Sequence, residues 1–348
     1  MAFIRQVLLA NANDSMVLAK DVVDNSGRVL LTAGVTLRPE TIGLLRKHQV
    51  VSIWVKDKCD SRNREITSIQ NLTCEATRLK LIYNVQNAFS NREKFCVYLN
   101  ELQQVITQVV CELSAREYVL IYLNDIRIKS EYLFMHSVNV GLFAIAIGMA
   151  MGLEQEELIL LGMGGLLHDY GKTRVPQQIL NKNGPLSWEE FCQVKEHAAI
   201  GYNLLRLEEQ LDHRVMLMAL QHHERCDGRG YPWGITGSEI HQLAKIVAVA
   251  DVYDALTTDR VYRARMEPYQ AVEIINQGIG SQFDEVVVKA FNQVAVPYNI
   301  GNIVTLDNGL RGAVIRINTL RPARPIVWTE QGPLNLMHEP DVKIVAVI

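Results

Sequence analysis

Apolar positions along the chain change their period twice. Up to residue 55 they fall in short runs separated by turn residues. Residues 16–19 (MVLA), 28–31 (RVLL) and 50–55 (VVSIWV) alternate with Asn25-Ser26-Gly27 and Ala33-Gly34. Such runs predict strands. Pro39, followed by Ile42, Leu44 and Leu45, predicts a helix start. The result is a small α/β unit, marginal for folding alone. Residues 56–70 are polar and read as a linker. From Cys74 to about Leu123 apolar residues recur at steps of three and four: Leu79, Ile82, Val85 and Phe89, then Leu99, Leu102, Ile106 and Val110. Two helices are expected here, the first as a stalk, although too few clean heptads are present to define a coiled-coil seam.

From 130 to 291 the period stays helical and no run of alternating strands intervenes. Helices are expected over 131–151, 153–168, 187–207, 212–223, 240–257, 267–278 and 283–294. Glu154, Glu156 and Glu157 sit where the helix dipole favours them, and Ser187 with Glu190 matches a capping box. After 296 the pattern shortens again. Residues 302–306 and 312–317 around Asp307-Asn308-Gly309 read as a hairpin, with further strands over 325–328 and 342–347. The expected class is mainly α: a helical bundle with a small α/β N-terminal unit and a small β C-terminal extension. The expected division is 1–65 as a regulatory unit, 66–114 as a helical linker, 115–295 as the bundle and 296–348 as the β extension.

Composition narrows the options. Of 348 residues, 48% are hydrophobic and 21% charged, as in a globular protein, and the net charge of −3 offers no basic field for duplex nucleic acid. The six cysteines form no CxxC pair, which argues against a zinc knuckle and for reduced thiols in a cytoplasmic protein. The N-terminus shows no signal-like segment. The longest apolar stretch, 140–153, is shorter than the ~20 residues that span a bilayer, so no membrane span is expected.

The chemistry concentrates in the bundle. His136, His168-Asp169, His197, His222-His223 and Asp251 follow one another at steps of 32, 29, 25 and 28 residues, each about one helix and one loop. Any one of them has a bland reading as a satisfied core histidine or a polar helix end; His48, alone in its region, keeps that reading. Together they fit a bundle whose helices each deliver ligands to one interior point. Imidazole and carboxylate donors without cysteine suit iron, manganese, zinc or nickel. Seven side chains exceed one ion's needs, and two ions bridged by Asp169 fit the count.

HDYGK at 168–172, HHERCDGRGYP at 222–232 and ADVYDALTTDRVYR at 250–263 resemble the HD-GYP family, a branch of the HD-domain metal-dependent phosphohydrolases that includes cyclic di-GMP phosphodiesterases. YLFMHSVNVG around His136, EHAAIG around His197 and FDEVVVKAF near the end of the bundle extend the resemblance over roughly residues 115–295. The resemblance implies that His136, His168, Asp169 and Asp251 hold one ion, and that His197, His222 and His223 hold a second bridged by Asp169. It implies catalytic parts for Asp169 and Lys172, with Lys172 contacting substrate phosphate. Arg260 and Arg263 would clamp phosphate or guanine, for which guanidinium geometry is suited, or else pair at a helix end with Asp254 or Asp259. Tyr231 would pack near the nucleotide or anchor its loop. The implied activity is hydrolysis of cyclic di-GMP to pGpG, and further to GMP, by a bridging hydroxide, with Fe or Mn favoured over Zn or Ni. A non-hydrolysing receptor and a hydrolase of another cyclic dinucleotide stay open, as does a homodimer or a signalling-protein partner.

The chain also departs from the family pattern. Where some members place a third-metal glutamate it has Tyr132, and the neighbouring Glu131 points about 100° away on a helix; two metals are therefore expected. Ala198 replaces the usual proline after His197. Thr173 and Arg174 are less typical after Lys172, and Arg174 adds a positive charge near the expected mouth.

Overall fold

The computed structural model describes residues 3–9, 12, 14, 16–19, 22–23, 29–48, 50, 52–57, 72–121, 132–182, 184–258 and 265–348. The chain divides into two compact units, one made of Met1–Gln70 with Tyr298–Ile348 and the other of Asn71–Pro297.

In the first unit the N-terminal part holds strands β1 (Phe3–Leu8), β2 (Val17–Leu18), β3 (Val22–Val23) and β4 (Val29–Leu31), helix α1 (Pro39–Lys47) and strand β5 (Ser52–Asp57). β1 and β2 pair antiparallel with the central β5, and β3 pairs with β4. β1 was not foreseen, because FIRQVL carries two consecutive polar residues that break strict alternation. Leu18, Leu37, Leu45, Ile53 and Val55 close a small core of their own.

The second unit is helical. It runs through α2 (Glu75–Ser90), α3 (Phe95–Ser114), α4 (Tyr132–Ala150), α5 (Gln155–Leu167), a 3₁₀ turn at Tyr170–Arg174, and α6 (Gln177–Leu180). There follow α7 (Trp188–Lys195), α8 (His197–Leu205), α9 (His213–Gln221), α10 (Gln242–Thr257), α11 (Pro268–Gln277) and α12 (Glu285–Val294). α2 and α3 are not a free stalk. Leu81, Val85, Leu99, Leu102 and Ile106 lie in the same buried core as Leu142 of α4, Leu161 of α5 and Ile246 of α10. Helix α4 is apolar on every side, as a helix enclosed by others must be. Its span Leu133–Ala150 is long and apolar enough to cross a membrane by length and composition, and 72% of it is buried inside the protein.

Small residues set the closest crossing. A Cβ on Gly165 would lie 2.5 Å from the Cα of Gly141, so α4 and α5 meet backbone to backbone where neither carries a side chain. That contact brings His136 and His168 to 5.2 Å between ring centroids. The expected single helix over 187–207 is instead α7 and α8, broken at Glu196, and the break places His197 at the start of a new helix. The Ser187 capping box is present: Glu190 N–H donates to Ser187 Oγ at 3.2 Å, and Ser187 N–H donates to Glu190 Oε2 at 2.6 Å.

The C-terminal part of the first unit is a five-stranded antiparallel sheet in the order β10-β6-β7-β8-β9. Its strands are β6 (Ile303–Leu306), β7 (Arg311–Arg316), β8 (Ile326–Thr329), β9 (Gly332–Asn335) and β10 (Ile344–Val347). The expected hairpin is β6–β7, while β9 was not anticipated.

Candidate metal centre

Three of the histidines are aimed by the same device. The last carbonyls of a helix have no partner further along it, and a histidine at or just beyond the end can donate to one of them. His168 Nδ1 bonds Gly165 O at 2.7 Å, His197 Nδ1 bonds Val194 O at 2.6 Å, and His222 Nδ1 bonds Ala219 O at 2.9 Å. A carbonyl can only accept, so Nδ1 holds the proton and Nε2 presents its lone pair inward. Gly171 tightens the arrangement, since a Cβ there would collide with the carbonyl of His197 and lie 2.6 Å from Gly201 N. Only glycine lets the 3₁₀ turn that follows Asp169 press against α8.

The inward atoms converge. His197 Nε2 and His222 Nε2 are 3.3 Å apart, and they lie 3.4 and 3.9 Å from Asp169 Oδ1. Two lone pairs and a carboxylate oxygen thus face one another with no proton assigned between them. His168 Nε2 and Asp169 Oδ1 are buried without any hydrogen-bond partner. Buried polar atoms are rarely left so, and a cation is the group this donor set lacks. On the other side of Asp169, His136 Nε2 stands 3.1 Å from Asp251 Oδ1 and 3.8 Å from Asp169 Oδ2. Ligand atoms of His197, His222 and His223, of His136, His168 and Asp251, and of His168, Asp169 and His222 form three groups, each within 4.8 Å, that could hold an ion.

The electrostatics of the two sides differ. Burial alone would lower His136, but its bonds to Asp251 and Asp254 prevail and push it up to about 9. Burial pushes His197 down to about 4, with Lys172 adding to the effect, and His223 down to about 3; it holds His222 well below its ordinary value. Burial opposes ionisation of Asp169 and Asp251. For Asp169 the nearby His168 and Lys172 outweigh it, and for Asp251 the His136 bond does, so both stay well below the usual carboxylate range.

A cavity of about 330 Å³ opens beside this centre, with His222 and His223 in its wall together with Tyr231, Lys195 and Arg229. The Tyr231 ring lies 4.6 Å from that of His223. Its loop is held by buried Glu224, whose carboxylate accepts from the backbone N–H groups of Trp233 (2.7 Å), Gly234 (3.2 Å) and Ile235 (3.2 Å).

Comparison with known proteins finds relatives for the helical part of the chain. Residues 123–287 match the model of the HD domain. That segment of the chain is similar to HD domains. Over 196 residues it is 38% identical to the cyclic di-GMP phosphodiesterase PA4108 of Pseudomonas aeruginosa, covering 56% of this chain and 47% of that protein. It is 35% identical to the 3'3'-cGAMP-specific phosphodiesterase 3 of Vibrio cholerae, covering 45% of this chain and 34% of that one. The chain therefore spans less than half the length of either curated relative. Among solved structures, Bd1817, an HD-GYP-type protein from Bdellovibrio bacteriovorus, shares the fold with a TM-score of 0.51 at 18% identity, covering 83% of this chain and 98% of that one.

The HD domain brings His136, His168, Asp169, His197, His222, His223 and Asp251 together around one point. Lys172 joins them, its Nζ 2.5 Å from Asp169 Oδ2. Tyr231 lines the cavity, whereas Arg174 is exposed at the end of its 3₁₀ turn and is not in the cavity wall. Arg260, Arg263 and Glu131 lie outside the described residues, as does the side chain of Tyr132. Asp254 is no helix-end surface partner. It is fully buried, bonding His136 Nδ1 through Oδ2 and Asn139 Nδ2 through Oδ1, both at 2.7 Å. Sequence reasoning missed this role, although Asp254 stands three residues after Asp251 and so shares its helix face. Glu224 was missed as well, and nothing beyond its place after the paired histidines marks it.

Proposed function

We propose that this HD domain is a two-metal phosphodiesterase that hydrolyses cyclic di-GMP to pGpG and onward to GMP. The observation that carries the reading is the convergence of proton-free Nε2 atoms of His197 and His222 on the unpartnered Oδ1 of Asp169. In this reading His136, His168, Asp169 and Asp251 hold one divalent ion, and His197, His222 and His223 hold the other, with Asp169 serving both. Fe or Mn is favoured, and Zn or Ni also suits nitrogen and oxygen donors. Such a pair of ions, when bound, supplies an acidified water and offsets charge on phosphoryl oxygens.

The remaining work falls to the chain. Lys172, which donates to Asp169 Oδ2, would be the cation available to a substrate phosphate beside the centre. Tyr231 offers a ring at the cavity wall, and the sequence offers Arg174, Arg260 and Arg263 for contacts to phosphate or guanine. The buried histidines keep bulk water from their lone pairs. Residues 1–65 would serve regulation. The names of the relatives support the substrate class, and one of them, the 3'3'-cGAMP-specific enzyme, favours a second reading with a mixed guanine–adenine cyclic dinucleotide.

The test is turnover by anaerobically purified protein loaded with Mn or Fe, offered cyclic di-GMP and 3'3'-cGAMP in competition, with products identified. Appearance of pGpG is the expected result. No cleavage of either dinucleotide with both ions bound would falsify the assignment, while strong preference for 3'3'-cGAMP would select the second reading.

A further inference from the structure

A cyclic dinucleotide carries two phosphodiesters, and only one can lie at the metals in a given turnover. The structure offers a place for the other. Lys195 ends α7, two residues before His197, and is half-buried in the wall of the cavity that His222 and His223 also line. Its ammonium is held by aromatic faces: Nζ lies 4.6 Å from the ring centroid of Phe191, 5.3 Å from Trp188 and 5.4 Å from Tyr231. Among the described residues no carboxylate is within ion-pair distance of it, unlike Lys172, Lys182, Lys245 and Lys289. Cation–π contacts fix the position of an ammonium without neutralising its charge, so Lys195 is a pre-placed cation with hydrogen-bond donors to spare. The cavity of about 330 Å³ is at the small end of the roughly 300–1,000 Å³ typical of ligand pockets. It therefore suits one arm of a dinucleotide rather than the whole ring.

We propose that Lys195, caged by Phe191, Trp188 and Tyr231, binds the phosphate of the substrate that is not being cleaved. This rests on the cyclic dinucleotide reading above. Lys195 acts by binding: its contact is the same before and during reaction at the other phosphate, so it sets KM and leaves kcat to the metal centre. Trp188 and Phe191 are exposed, and a ligand arriving at Lys195 changes the surroundings of the indole.

The test compares wild type with Lys195→Met, which keeps the stem and removes the charge, and Lys195→Arg, which restores it. Lys195→Met should raise KM for cyclic di-GMP about tenfold with kcat within about a factor of two. Its metal content should match wild type, and Lys195→Arg should recover most of the loss. Binding of cyclic di-GMP to metal-free protein, read from tryptophan fluorescence with Trp188→Phe as the control, should weaken in parallel. An unchanged KM and unchanged binding in Lys195→Met would overturn the assignment while leaving the phosphodiesterase reading intact, and so would a fall in kcat or metal content without a rise in KM. If wild type binds the dinucleotide through Lys195 yet never cleaves it, the enzyme reading fails and this one stands. If wild type neither binds nor cleaves it, both fail.

Discussion

The two sides of the Asp169 carboxylate differ through one histidine, His136, which bonds two carboxylates, whereas His168 beside it and His197 and His222 opposite hang from backbone carbonyls. On one side His136 is clasped between Asp251 and Asp254 and keeps a proton up to about pH 9. On the other, His197 and His222 hang from backbone carbonyls and His223 stacks beside them, with pKa values of about 4 for His197 and about 3 for His223. The first side is anionic and must give up a proton to take a cation. The second is neutral and already bare. One centre is thus built from an acid-poised half and a preformed half, with Asp169 lying against both and Asp251 spanning from His136 Nε2 (3.1 Å) to His223 Nδ1 (3.9 Å). The first half should hold its ion by charge and the second by geometry, which implies different affinities and different sensitivities to pH.

The sharpest way to break this picture is to remove the shared carboxylate. Asp169→Ala should cost both ions and lower turnover by at least about 10³-fold, since neither half then has a common oxygen. Elemental analysis checks the first outcome and a product assay the second. Retention of two ions per chain would show that the halves are independent sites.

A smaller effect should be confined to one half. Among the described residues the one expected ligand hydrogen-bonded to Asp254 is His136, whose Nδ1 it fixes, while Asn139 Nδ2 and Thr258 Oγ1 donate to its other oxygen. Partners of this kind typically alter metal affinity about 10–100-fold. Asp254→Asn should therefore weaken one of two ions by about that factor and leave the other. Chelator competition on the purified protein separates the two, and equal weakening of both would erase the distinction between the halves.

Much of this was legible before any coordinates. The spacing of His136, His168, His197, His222 and Asp251 requires only that each helix deliver one end to a common point, and helices with polar residues at their termini do that readily. What was not legible depends on contacts between distant segments. Asp254 reads as an ordinary helix acid until α10 is laid against α4. Glu224 becomes an anchor only when residues 233–235 fold back over it. The break at Glu196 has no glycine or proline to announce it, yet it decides where His197 points. The core role of α2 and α3 was hidden for a related reason, because a three-four apolar period predicts a helix without saying which partner covers it.

Acidity gives a finer test of the same contrast. A protonated imidazole has no lone pair at Nε2, so an ion entering the first half displaces the His136 proton. Below about pH 9 its affinity there should fall up to about tenfold per pH unit. The second half, with His197 at about 4 and His223 at about 3, should show no such dependence until far lower pH. Metal titrations at pH 7 and pH 8.5 should therefore shift one binding step and leave the other in place. Parallel movement of both steps would contradict the assignment of the proton to His136 alone.

The mildest prediction leaves every ligand untouched and so serves as the control on the comparison. Glu224→Gln keeps one oxygen for the N–H groups of Trp233 and Gly234 but turns an amide donor toward the N–H of Ile235, losing that bond. The cost should be about 1 kcal/mol of stability, read as a lower melting temperature of the metal-free protein. Because Tyr231 and Glu224 both line the cavity, a loosened loop should also raise KM while both metal affinities stay at wild-type values. If metal affinity falls in this variant, the loop is part of the metal centre rather than a wall beside it, and the division into two halves around Asp169 has omitted a third support.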